Sequence, residues 1–147
     1  MSLTYKNILV AIDGSEESKQ ALKKAIEVTK RNNAMLHIVY IHEIRVYPSD
    51  AASIHERGEK IGHGLLESYL QMAKDAGLQN VSTLLEFGSP KVDITKKAEK
   101  KIKADLIICG KTGLSAVEHL LIGSVSENIV RSAHCDVLVV KTQKEED

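Results

Sequence analysis

Neither sign of charge prevails in this chain, whose 147 residues carry 20 Lys and Arg against 20 Asp and Glu. That balance excludes a global basic field for nucleic acid or an anionic membrane surface. No apolar run approaches the ~18 residues of a transmembrane helix, so no membrane span is expected. The opening Met1-Ser2-Leu3-Thr4 lacks the charged and apolar regions of a signal peptide. Two cysteines, Cys109 and Cys135, form no CxxC pair, which argues against a zinc knuckle and against a disulfide framework. The six histidines show no HExxH or other ligand spacing, so no metal site is read from them. Internal repeats, linkers and low-complexity tracts are also missing. A single cytoplasmic domain over 1–147 is expected.

What is present alternates between two patterns. Asn7–Ile12, Met35–Ile41, Val81–Phe87, Asp105–Cys109 and Asp136–Lys141 are mostly apolar runs of strand length. Between the first two, Ser15 can cap a helix whose first turn holds Glu16 and Glu17, with Leu22, Ala25, Ile26 and Thr29 on one face. Glu43–Ala52, with Pro48, reads as a loop. Ser53-Ile54-His55-Glu56 has capping-box spacing ahead of a long helix striped by Ile61, Leu65, Leu66, Tyr69, Met72 and Ala73. Gly88-Ser89-Pro90 places a cap and an N1 proline before a third helix carrying Ile94, Ala98 and Ile102. A fourth helix is expected over Ser124–Ser132.

Strands alternating with helices predict an α/β fold, an open five-stranded parallel sheet with helices on both faces. Right-handed crossovers favour the order 3-2-1-4-5, which reverses direction between strands 1 and 4. Ligands bind such sheets at the carboxyl ends of the strands flanking that switch, where Asp13 and Gly110 lie.

The same edge carries a motif: Gly110-Lys111-Thr112-Gly113, nine residues, then Gly123-Ser124. A P-loop would need glycine at Asp105, and a dinucleotide fingerprint would need glycines at Thr112 and Ser115, so neither applies. Glycine at a strand end lets backbone amides approach a ligand, and a helix opening at Ser124 offers N–H donors and a positive dipole end. Leu114, Val117, Leu120 and Leu121 recur at helical spacing, predicting a flap over 114–122. Its folding would bring Gly113 and the amides of Ser124, Val125 and Ser126 around one phosphate chain, with the Ser124 and Ser126 hydroxyls as further donors. Turn-and-cap roles are the alternative, favoured for Ser124 taken alone, while the spaced set as a whole favours binding. Asp13 can bond ribose hydroxyls or a phosphate-bound cation, or can make an Asx-turn with Gly14-Ser15.

The glycine spacing resembles the nucleotide-binding signature of the universal stress protein family, and the chain is similar to that family from Lys6 to Lys141. The resemblance implies an adenine nucleotide alpha hydrolase-like fold binding ATP, or ADP or AMP, with Mg2+ or Mn2+ as a candidate companion. It places main-chain contacts to adenine at Ala11 and Ile41, whose side chains belong to the core. Relatives often carry a polar or basic residue after the second glycine, where this chain has Leu114; Lys111, between the glycines, is a candidate for the phosphate charge. The resemblance further implies a homodimer through strand 136–141, whose apolar edge would otherwise invite pairing. With no nucleophile–base pair in the sequence, a nucleotide-dependent regulatory module responding to stress, read by a protein partner, is expected. A slow ATPase on the same fold and an interaction module without nucleotide are the alternatives.

Overall fold

The computed structural model describes residues 4–44, 51–112 and 122–142. Five parallel strands form one sheet: β1 (Asn7–Ala11), β2 (Met35–Glu43), β3 (Val81–Gly88), β4 (Leu106–Gly110) and β5 (Asp136–Val140). Their order is β3-β2-β1-β4-β5, as the alternation of patterns predicts. Ile8 stands beside both Leu36 and Leu106, and Val10 beside both Ile38 and Ile108. Sequence expectation and structure differ by one residue at a place that matters, because Gly110 ends β4 rather than opening the loop after it.

The central strands are apolar throughout because both faces are covered. On one face Ile8, Val10, Leu36 and Ile38 pack under α1 (Glu16–Asn32) and α2 (Ala51–Asp75). On the other, Leu9, Val39, Ile41 and Ile107 meet Ile94, Ala98 and Ile129. These come from α5 (Ser124–Ser132) and from a three-part helix: α3 (Pro90–Asp93), a π-helical segment (Ile94–Ala98) and α4 (Glu99–Ile102). Ile8, Leu36, Ile38, Ile107 and Ile129 are all fully buried, and each is worth ~1.5–3 kcal/mol relative to an exposed side chain.

α1 follows its sequence signals closely. The Ser15 side chain accepts from the Ser18 amide at 3.1 Å, and Lys30 and Arg31 occupy the last turn. Asn33 ends the helix in the left-handed conformation, φ 51°, donating its N–H back to the Lys30 carbonyl. Other signals are used differently. α2 begins at Ala51, so Ser53 to Glu56 lie inside its first turns instead of capping it. There the His55 ring stacks on Phe87 at 4.3 Å and bonds Glu59 at 3.1 Å. Ser89 does not cap α3 with its side chain; the buried Asp93 carboxylate reaches back to the Ser89 amide at 2.8 Å. Gly88 (φ 152°) makes room, since a Cβ there would lie 2.1 Å from that carboxylate.

Candidate functional site

Asp13 follows β1 in a turn that other residues hold from several sides. Its Oδ1 accepts from the Ser15 amide at 2.9 Å and from the Ser15 hydroxyl at 2.5 Å, which is the predicted Asx-turn. Gly14 takes φ 85°, a left-handed angle that suits glycine. The Asp13 amide donates to Ser18 Oγ at 3.3 Å, and Ser18 Oγ lies 2.6 Å from the hydroxyl of Tyr69 on α2. The Ser18 hydroxyl also bonds the Ser15 carbonyl at 3.1 Å, and Ser18 and Tyr69 are both buried. Burial pushes the Tyr69 phenol upward, keeping it neutral, and burial with the nearby Asp13 charge does the same to Tyr40. The sequence presents Tyr69 as one member of an apolar stripe. Its role as an anchor for the Asp13 turn was readable only from the need of a buried phenol for a partner.

Across the switch point, β4 delivers Gly110 against the first turn of α1. A Cβ on Gly110 would sit 3.1 Å from the Glu17 carbonyl carbon and oxygen, so the packing of α1 on β4 itself calls for glycine here. The chain is then pinned: the Lys111 amide donates to the Val140 carbonyl at 2.9 Å, and the Gly123 amide donates to the Lys111 carbonyl at 2.8 Å. The two arms of the glycine motif therefore meet at their base. Gly113 and Leu114 lie outside the described residues, as does the predicted flap apart from Ile122. His119 and the loop residues 45–50 fall outside them too.

The start of α5 departs from the expectation that Ser124 caps it. Gly123 is the N-cap, in an extended conformation with no side-chain cap bond, and Ser124 is the first helical residue. An α-helix leaves its first-turn amides without intrahelical partners, and Gly123 at the N-cap supplies no side chain to the N–H groups of Ser124, Val125 and Ser126. Ser126 is only 4% exposed, and its hydroxyl donates to the Gly110 carbonyl at 2.5 Å. In this state its hydrogen ties α5 to β4, while its amide stays with the first turn. Lys111 is half-buried beside these groups in sequence and Ser124 is exposed.

Ala11 and Ile41 are core residues, 9% and 4% exposed, so a ligand reaches them only through their backbone. Histidine takes structural roles: His37 stands between Ser82 Oγ (3.1 Å) and Asn7 Oδ1 (3.4 Å), and burial lowers its pKa. Cys109, 3% exposed, is a small core residue whose thiol burial pushes up to about 11. Among the described residues no group of three or more His, Cys, Asp or Glu could hold a metal ion, and no helix is long and apolar enough to cross a membrane.

The comparisons agree with this architecture. The family model described as the universal stress protein family matches residues 4–141. A putative universal stress protein of Staphylococcus haemolyticus is 51% identical over 145 residues, 97% of this chain and 88% of that one. One from Staphylococcus saprophyticus is 49% identical, with 97% and 87% covered. Among solved structures, universal stress protein UspA from Lactobacillus plantarum superposes with a TM-score of 0.84 at 25% identity, covering 95% of this chain and 99% of that one. A universal stress protein in complex with cAMP gives 0.76 at 31% identity, with 95% and 99% covered. A family protein from Arabidopsis thaliana with AMP bound gives 0.69 at 20% identity, covering 94% and 92%, a likeness of fold. With its sheet order, the matching family model and these relatives in accord, this chain is a member of the universal stress protein family.

Proposed function

We propose that this protein binds an adenine nucleotide, ATP foremost, at the carboxyl edge of β1 and β4, and acts in the cytoplasm as a nucleotide-dependent regulatory module. The observation that carries this reading is the first turn of α5. Its N-cap, Gly123, gives its amides no capping side chain, the Gly123–Lys111 bond sets them at the base of the glycine motif, and Ser126 fixes them to the end of β4. An uncapped helix start is an anion site by charge and by donor count. The contrast with α1, whose start is closed by Ser15, is internal to the molecule. A phosphate chain would take the Ser124 to Ser126 amides, with Gly113 and Lys111 as further contacts. Asp13 would face the ribose or a Mg2+ or Mn2+ ion with whatever acceptor capacity its turn leaves, and Ala11 and Ile41 would meet adenine through their backbones. The cAMP complex of a relative 31% identical to this chain supports the adenine assignment.

Binding without turnover is the reading we prefer, because the described residues around the crevice are turn, cap and clamp residues rather than a nucleophile with a base. The homodimer is part of the same reading: β5 is an edge strand, and Leu138 on it is 36% exposed.

The test is isothermal titration with ATP, ADP, AMP and cAMP, with and without Mg2+, on the native chain, Gly123→Ala and Gly123→Asp. Aspartate at the N-cap supplies its own acceptor and a negative charge, stabilising the helix by about 1 kcal/mol relative to alanine. The expected result is a Gly123→Asp protein at least as heat-stable as Gly123→Ala that has lost nucleotide. Equal nucleotide affinity in the two variants would remove α5 from the site. Phosphate release measured alongside, at rates typical of enzymes, would replace the regulatory reading with an ATPase.

A further inference from the structure

The charge neutrality of the chain conceals a segregated face. Residues 90–103 hold Lys91, Lys96, Lys97, Lys100, Lys101 and Lys103 against two acids, Asp93 and Glu99. Both acids are buried, 8% and 5% exposed, and both spend an oxygen on backbone amides: Asp93 on Ser89, Glu99 on His134 at 2.8 Å. Asp93 and Glu99 flank a π-helical segment, Ile94–Ala98, and with both of them buried no carboxylate is left on the outer surface of residues 90–103. Lys101 is paired with Glu86 at 2.9 Å, and Lys97 approaches Asp93 at 3.9 Å. Lys96 and Lys100 have no acidic partner among the described residues. These two line a groove of about 280 Å³ between this helix and α5, with Val92, Asn128, Ser132 and His134 as the other walls. Arg131 on α5 is occupied by Glu127 at 2.7 Å.

We infer that this groove is a docking site for an acidic segment of a partner protein, its carboxylates on Lys96 and Lys100 and an apolar side chain on Val92. Charge complementarity selects the sign, since two adjacent unpaired lysines with no compensating acid attract and orient an anionic partner. The apolar rim selects the class. Val92 is 41% exposed on the groove wall, no arginine lines it, and its one ring is the His134 imidazole. A single imidazole and two lysines offer nucleic acid neither a platform of successive rings nor a guanidinium fork on phosphate. Carboxylates interspersed with aliphatic residues, as on an acidic amphipathic helix, match what is there. Docking here needs no nucleotide and stands apart from the crevice at Gly123.

The experiment is a titration of the 15N-labelled full chain, without nucleotide, with a synthetic amphipathic peptide of Glu and Leu, followed by amide shifts. The expected shifts fall within 92–103 and 128–134. Lys96→Glu with Lys100→Glu weakens binding by about tenfold or more, and the milder Lys96→Gln with Lys100→Gln weakens it in the same direction. Lys19→Glu with Lys23→Glu, the same charge change on α1, leaves binding within about twofold. No shifts, shifts scattered over other surfaces, or equal losses in both glutamate pairs would overturn the assignment. Displacement of the peptide by oligothymidine at lower concentration than the peptide itself would overturn it in favour of nucleic acid.

Discussion

The buried hydroxyl of Ser126 donates its hydrogen to the carbonyl of Gly110, and this one bond couples the end of the fourth strand to the first turn of the helix beside the crevice. Under the proposed function, nucleotide affinity at this edge would depend on a residue whose hydroxyl is already spent on the fold.

Ser126→Ala leaves the Gly110 carbonyl without this donor in a buried setting, at a cost of about 1–3 kcal/mol. The expected outcome is a lower melting temperature together with weaker nucleotide binding, measured by calorimetry on one preparation. Ser126→Thr, which keeps the hydroxyl, recovers part of both. A variant that lost stability while binding nucleotide at native affinity would show that the clamp supports the fold alone.

Both thiols are held protonated. Burial pushes Cys109 up to about 11, and burial together with the neighbouring Glu99 carboxylate pushes Cys135 up to about 12. At pH 8 the thiolate fraction is on the order of one in a thousand or less, so a disulfide reagent should react slowly with the native chain and quickly in guanidinium. The linkage has a definite sign. Below the ordinary thiol value, about 8.5, folded and unfolded chains hold the same protons at these sites. Above it the unfolded chain releases protons that the folded chain keeps, so these groups make stability fall as pH rises from about 9 toward 11. Chemical denaturation across that interval checks it: a serine variant at each position should flatten the decline, and an unchanged slope would refute it.

Leu138→Asp puts a charge on the exposed face of the edge strand. Light scattering after size exclusion is expected to show a dimer for the native chain and a monomer of unchanged circular dichroism for the variant. A variant that stays dimeric would move the interface away from residues 136–141.

Much of this architecture could be read in the residues themselves. Continuous apolar runs such as Ile107-Ile108-Cys109 announce strands covered on both faces, and the position of Asp13-Gly14-Ser15 after the first of them announces its turn. The rest depended on partners distant in sequence. Gly110 reads as room for a ligand until the Glu17 backbone is found 3.1 Å from where its Cβ would be. Ser124 reads as a cap because serine often is one; Gly123, lacking a side chain, takes that position because its φ of −73° and ψ of 161° are the cap's. The π-helical segment left no composition signal, since Ile94 and Ala98 are spaced as well for an ordinary helix.

The bond between the Gly123 amide and the Lys111 carbonyl has a consequence for how such a protein changes over generations. That bond joins the chain on either side of residues 113–121 at a fixed base, and closing a longer loop over such a base costs little more, about 0.6 kcal/mol for each doubling. Changes in the length of this stretch are therefore cheap, and the scaffold beneath can be inherited intact while the insert between its anchors is exchanged.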